Sequence, residues 1–423
     1  MRARRTGTER TGTERQRERE RERALAVGAG GRAPGPRPWV RVALAMFAVG
    51  WGANQFSPML LVYHEQRRLS QVVLAAMFGC YALGLIPALL VAAALSDRMG
   101  RRRLMRPVLI LSTVASLVLV AGAVATPALF AGRLLAGVAS GTAFAPGSAW
   151  VKELSADAPG GSGARRATVA LSAGFGGGPL VAGAVAQWLP YPQVLPYLVH
   201  IAVMLVVAPL AWRAPETVTP GRRAGGGPGR GGVRAAVAHP VFLRTVVPTA
   251  PWVFATATVG FAVLPGLVIR GGDGLVLSGA TAGLVLGTGV LVQPLARRVE
   301  RWRAGAVLVA GVLVAAAGLL LAAVTAATAE PTLLIPAAVV LGAAYGLLLV
   351  AGLGRVQALA PPEDLAGVTA VFYCLIYLGF AAPYVVAAAG ALLSPAALFC
   401  VAAGAVTATL PLLLGTGGVR APR

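Results

Sequence analysis

In the segment WGANQFSP, from Trp51 to Pro58, two amides, Asn54 and Gln55, stand side by side inside a run that is otherwise apolar. Amides in hydrocarbon need hydrogen-bond partners or a wet cavity, which makes this pair a candidate for holding a solute. Arg133 raises the same question more sharply. It lies about two turns inside another apolar run, where a guanidinium is expensive to bury and marks a functional position by default. Its alternative is to snorkel, with the stem in the apolar run and the charged head at the interface. Tyr373 and Tyr377, one helical turn apart, share a face and fit the same cavity, although core packing also accounts for an aromatic in such a run.

These residues do not make an enzyme. Lys152 is the sole lysine and follows no glycine-rich loop, so there is no phosphate cradle and the chain does not hydrolyse ATP. His64, His200 and His239 are far apart, and Cys80, Cys374 and Cys400 show no ligand spacing, so neither a metal nor another cofactor is expected. The cysteines read as small buried hydrophobes. Outside the N-terminal tail every acid lies at or beyond the end of an apolar run: Glu65, Asp97, Glu153, Asp157, Glu216, Asp273, Glu300, Glu330, Glu363 and Asp364. A mid-depth carboxylate to trade a proton for a cation is therefore missing. A strongly cationic substrate lacks its counter-ion, and a coupling proton must use a boundary acid such as Glu65, or His200.

What positions these side chains is a set of long apolar helices. With 57% hydrophobic and 12% charged residues and a mean hydropathy of +0.74, the 423-residue chain needs a membrane as its solvent. The net charge of +22 does not point to nucleic acid, because the arginines are confined to a tail and to short loops. Crossing hydrocarbon takes roughly 20 apolar residues. Twelve such runs occur, near 39–63, 72–95, 107–126, 128–151, 167–189, 194–212, 242–269, 275–296, 304–327, 333–354, 367–392 and 396–414. The chain thus reads as an all-α membrane protein of twelve transmembrane helices.

Its organisation reads as a disordered Arg/Glu-rich tail over 1–38, six helices over 39–212, a flexible Gly/Arg/Pro linker over 213–240 with no fold of its own, six helices over 241–415 and a short tail over 416–423. No signal peptide is expected, since the charged stretch is far too long for one. One side of the membrane receives Arg98, Arg101, Arg102, Arg103, Arg106, Lys152, Arg165, Arg166, Arg222, Arg223, Arg297, Arg298, Arg301 and Arg303; the other receives Arg67, Arg68 and Arg270. The positive-inside rule puts both termini in the cytoplasm of a multi-pass protein of the inner or plasma membrane.

The halves repeat. Gly137 and Gly141 in LLAGVASG match Gly342 and Gly346 in VLGAAYG, and GFGGGP ending at Pro179 matches LGFAAP ending at Pro383. After the second run comes AALSDRMGRRR, in which Gly100 permits a tight turn and Asp97 is an acid placed where arginine is favoured. This loop resembles the G-x-L-x-D-R-x-G-R-R signature of the major facilitator superfamily: Leu95, Asp97, Arg98, Gly100, Arg101 and Arg102 match, with Ala93 in place of the first glycine. In the fourth run RLLAGVASG resembles the family's R-x-x-x-G-x-G, with Ala139 for one glycine. In the fifth, Gly174, Gly178, Pro179 and Gly183 match the exporter-associated G-x-x-x-G-P-x-x-G-G, with Ala182 for its penultimate glycine.

The resemblance implies two pseudo-symmetric six-helix bundles and a conformational latch made by Asp97, Arg98, Gly100, Arg101 and Arg102. In it Asp97 engages the start of helix eleven near Gly367. It also implies a substrate path lined by helices one, four, seven and ten, which adds Trp252 and Tyr345 to the cavity candidates. The function expected is secondary active transport by alternating access, most simply efflux of a small, largely apolar compound such as a drug or secondary metabolite. Uptake of a nutrient or metabolite is the alternative within transport, and a non-transporting membrane sensor or scaffold the alternative outside it. The expected partners are a small-molecule substrate, a coupling proton if one is used, and the bilayer, with the protein acting as a monomer.

Overall fold

In hydrocarbon every backbone amide must be paired within its own segment, so long Ala/Val/Leu/Gly runs become helices. The computed structural model describes residues 37–158, 162–218, 230–269, 274–360 and 365–414, without the side chain of Asp97. The expected disordered tail up to residue 36, the middle of the linker with Arg222 and Arg223, Arg270, and the C-terminal tail over 416–423 lie outside the described residues.

The first half comprises α1 (Pro38–Asn54, continued by Phe56–Arg67), α2 (Gln71–Met99), α3 (Arg101–Ala121), α4 (Thr126–Glu153), α5 (Ser162–Trp188) and α6 (Leu195–Trp212). The second comprises α7 (Phe242–Val268), α8 (Gly274–Trp302), α9 (Ala306–Thr328), α10 (Leu334–Leu359), α11 (Leu365–Tyr377, with Ala382–Ala389 beyond a break) and α12 (Pro395–Thr407, with Leu410–Leu414). Eleven of these are long and apolar enough to cross a membrane as they stand, and the two pieces of α1 make the twelfth crossing. The linker differs from expectation near its end, where Arg230–Ala238 forms a helix whose latter part, VRAAVA, has no glycine. The cysteines differ too: Cys80 and Cys374 are half-buried and Cys400 is exposed, as suits a thiol whose outward surroundings are lipid rather than water.

The expected single helix over 39–63 is broken at Gln55. Pro58 has no N–H to give the carbonyl of Asn54, and its ring crowds that carbonyl. The hydroxyl of Ser57 donates to it instead, at 2.9 Å. The helix α7 contains wider π turns at Phe242–Val246 and Val259–Val263, and α11 tightens to a 3-10 turn at Leu378–Ala381.

Small residues let these helices touch backbone to backbone, which is how helices associate without a hydrophobic driving force. A side chain at Gly137 would collide with the carbonyl of Tyr81, and one at Gly141 with that of Leu85, so α4 lies directly on α2. Gly342 stands in the same relation to the carbonyl of Val285 and Gly346 to that of Gly289, so α10 lies on α8. The repeat read from sequence is thus a repeat of contacts. In α5, Gly174 and Gly178 face backbone of α1 at Phe47 and Trp51, while Gly379 of α11 faces backbone of α7 at Pro251 and Ala255. The halves meet where α5 crosses α8: Gly183 against Leu275, Pro179 against Gly279, and Gly176 against Gly283.

Candidate functional site: a caged arginine and an aromatic wall

The break in α1 frees main-chain carbonyls inside the first bundle, and Arg133 uses one of them. Its Nη1 donates to the carbonyl of Ala53 at 3.0 Å, and its side chain is only 1% exposed. It does not snorkel. The guanidinium lies over three rings, Tyr81 at 4.6 Å, Phe56 at 4.7 Å and Phe78 at 5.4 Å. Rings offer a cation the negative face of their π-system, so the cage supplies much of what lost water supplied, without a carboxylate. Its Nε is buried with no partner.

From this cage a row of rings runs into the second bundle. Phe78 stacks on Phe380 of α11 (5.4 Å, 11°), and Tyr81 reaches Phe380 at 5.7 Å. Phe254 of α7 then packs against Phe380 and Tyr377 at 4.9 Å each and against Tyr345 of α10 at 5.6 Å. Tyr373 lies 6.5 Å from Tyr377, and Phe261 of α7 closes on Phe78 at 6.1 Å. These separations suit edge-on or offset stacking.

Gln55, at the break, belongs to a second buried set. Its Nε2 donates to Ser116 Oγ on α3 (3.1 Å), and Ser116 Oγ lies 2.8 Å from Nδ1 of His200 on α6. The other ring nitrogen of His200 is 3.0 Å from the carbonyl of Ala48. A carbonyl only accepts, so Nε2 carries the hydrogen, and a neutral ring must then accept at Nδ1 from the serine hydroxyl. Gln55 Oε1 is left buried without a partner. Gly52 makes room for the imidazole, whose atoms would lie 2.8 Å from an added Cβ.

At the far end of α2, Gly100 adopts φ +99°, which L side chains rarely accept. The following residues start α3, whose orphan amides need acceptors. Glu216, just after α6, accepts from the backbone N–H of Arg101 (3.0 Å) and Arg102 (2.9 Å). The Arg101 guanidinium pairs with Glu153 at the end of α4 (3.0 Å) and donates to Ser96 Oγ (2.8 Å), while the Thr217 hydroxyl donates to Glu153. Arg98 is exposed. The side chain of Asp97 lies outside the described residues, and what covers Gly367 is Val233 of the linker helix, 2.7 Å from where a Cβ would stand.

Of the cavity candidates read from sequence, the structure brings Arg133 beside the Asn54–Gln55 break and joins Tyr345, Tyr373 and Tyr377 into the aromatic wall. Trp252 is half-buried on α7 and takes no part in the described ring contacts. The sequence reading missed Phe56, Phe78, Tyr81, Phe254 and Phe380, which carry most of the wall, and also Ser116; it named Glu153 and Glu216 only as acids at helix ends. No local signal marks a phenylalanine whose partner is 300 residues away, although Pro215-Glu216 straight after a span was an acid in want of a donor.

Two six-helix bundles sharing a buried polar and aromatic interior define a membrane transport protein. The chain belongs to the Major Facilitator Superfamily, whose family model matches residues 42–383. Among solved structures it is similar to the peptide transporter POT in complex with alafosfalin (TM-score 0.71, 14% identity, 91% of this chain and 95% of that chain). It is likewise similar to the nucleoside transporter NupG (TM-score 0.71, 9% identity, 90% and 100%). A POT family transporter in complex with 5-aminolevulinic acid matches with TM-score 0.69 and 13% identity over 91% and 97%. At such identities the likeness is one of fold. No curated protein sequence matches the chain significantly.

Proposed function

We propose that this chain exports a small, largely apolar solute, neutral or anionic, by alternating access, with the solute held between the α1 break, Arg133 and the aromatic wall. The observation that carries this reading is the row of rings from Phe56 to Tyr345, which crosses from one bundle to the other between Phe78 and Phe380. Rocking the bundles must open that row, and a planar or apolar solute is what its faces accept. Arg133 supports the choice of charge: among the described residues no carboxylate pairs with it, so a cation would meet an unneutralised like charge.

The arginine-bearing ends are assigned to the cytoplasmic side of the cell membrane on the positive-inside argument, and the protein is taken to act as a monomer. The Gly100 turn, tied by Arg101 to Glu153 and by its amides to Glu216, serves as the latch with Asp97, Arg98 and Arg102. His200, held by Ser116 and the Ala48 carbonyl, is the site offered to a coupling proton.

The test is flux in proteoliposomes with and without an imposed pH gradient, using compounds that span charge. Export of neutral or anionic aromatic compounds is the expected result. Accumulation in the opposite sense would make the chain an uptake permease, and no flux of any compound would make it a sensor or scaffold.

A further inference from the structure

A groove of about 700 Å³ lies on the outside of the first bundle between α3 and α6, away from the aromatic wall. Its α3 wall is Arg102, Arg106, Ile110 and Val114, one residue per turn along a single stripe. Its α6 wall runs from Leu205 through Ala208 to Trp212 and Arg213. The stripe from Arg102 to Val114 spans about 18 Å at the helical rise, of which the aliphatic part, Ile110 to Val114, covers about 6 Å of the ~15 Å of one leaflet's hydrocarbon. The arginines sit at the membrane-surface end and the aliphatic side chains below them.

The charge at the mouth is not used up by the protein. Arg106 donates one Nη2 hydrogen bond to the carbonyl of Trp212 (3.1 Å) and stands 5.4 Å over the Trp212 ring, and among the described residues no carboxylate pairs with Arg102, Arg106 or Arg213. Glu216, beside the Gly100 turn, is committed to the backbone amides of Arg101, Arg102, Thr217 and Val218. Guanidinium groups lining the mouth of an apolar trough that enters the leaflet complement a phosphate carried on an acyl chain.

We infer that this groove binds one anionic phospholipid of the adjacent leaflet, its phosphate on Arg102, Arg106 and Arg213 and one acyl chain between Ile110, Val114, Leu205 and Ala208. The inference stands apart from the direction and substrate of transport.

The experiment is native mass spectrometry of the full chain released from bilayers holding equal amounts of phosphatidylglycerol and phosphatidylcholine. One retained phosphatidylglycerol per protein is expected. Arg106→Gln with Arg213→Gln should lower its retention at least about tenfold, since a hydrogen bond to a charged group is commonly worth that factor. Ala208→Phe, which fills the trough and leaves the arginines in place, should lower retention of both lipids. Retention that ignores headgroup charge overturns the inference. So does retention unchanged in both variants, or a second copy of the chain in place of the lipid.

Discussion

Arg133 carries its charge without an acid, and its guanidinium shape matters as much as its charge. A flat ion can face several rings and still donate to the Ala53 carbonyl, whereas an ammonium on a flexible stem holds fewer of those contacts. Arg133→Lys is therefore expected to lower flux at least about tenfold. Arg133→Met, close in volume, should do likewise while leaving thermal unfolding in detergent near that of the parent; flux unchanged in both would remove Arg133 from the site. A second residue-scale outcome concerns Gly52. Its added Cβ in Gly52→Ala would press on the imidazole of His200, costing about 1–3 kcal/mol as overpacking does. His200→Ala made together with Gly52→Ala should recover part of that loss, read as a non-additive term in a double-mutant cycle. Arg133 was legible in the sequence because charge inside an apolar run is conspicuous. Its partners were not, because Phe78 and Tyr81 are ordinary residues of an apolar helix until folding brings α4 onto α2.

The elements show the same division between what spacing reveals and what it hides. The glycines at 137, 141, 342 and 346 recur at matching places in the two halves, so their equivalence could be read directly, and the contacts with Tyr81, Leu85, Val285 and Gly289 give it a cause. Gly137→Val and Gly342→Val are expected to lower thermal stability by similar amounts, because each drives a side chain into the backbone of the neighbouring helix. Gly287→Ala, where an added Cβ meets nothing within 4 Å, should fall within about 1 kcal/mol of the parent and serve as the control. The break in α1 was hidden in plain view: WGANQFSP announced its amides, and Pro58 was there to cut the helix. Pro58→Ala restores a donor for the Asn54 carbonyl, so it should straighten α1 and slow transport without loss of stability. Equal flux in parent and variant would show that the break is incidental. The π turns in α7 had no herald, since Phe242–Val246 and Val259–Val263 read as helix by any composition rule.

For the whole molecule, the number of spans and the two-bundle plan followed from hydropathy and the repeat, while the way the bundles touch did not. Where α5 meets α8, an added Cβ on Gly176 would lie 3.6 Å from the Cα of Gly283, and one on Gly283 3.5 Å from the carbonyl oxygen of Gly176. Backbones this close bring a pair of cysteines within reach of a disulfide. Gly176→Cys with Gly283→Cys, in a chain whose three native cysteines are replaced by serine, should cross-link on mild oxidation. The oxidised protein should stop transporting and recover on reduction. Cross-linking with undiminished flux would mean that the bundles do not move against each other here.

That crossing has one more implication. Gly176, Gly183, Gly279 and Gly283 put main chain against main chain, so the two halves share a bearing with few rotamers to reset. Sliding along it changes little beyond weak van der Waals contacts, and the energy that holds one orientation over another must reside elsewhere, in the rings that stack across from Phe78 to Phe380.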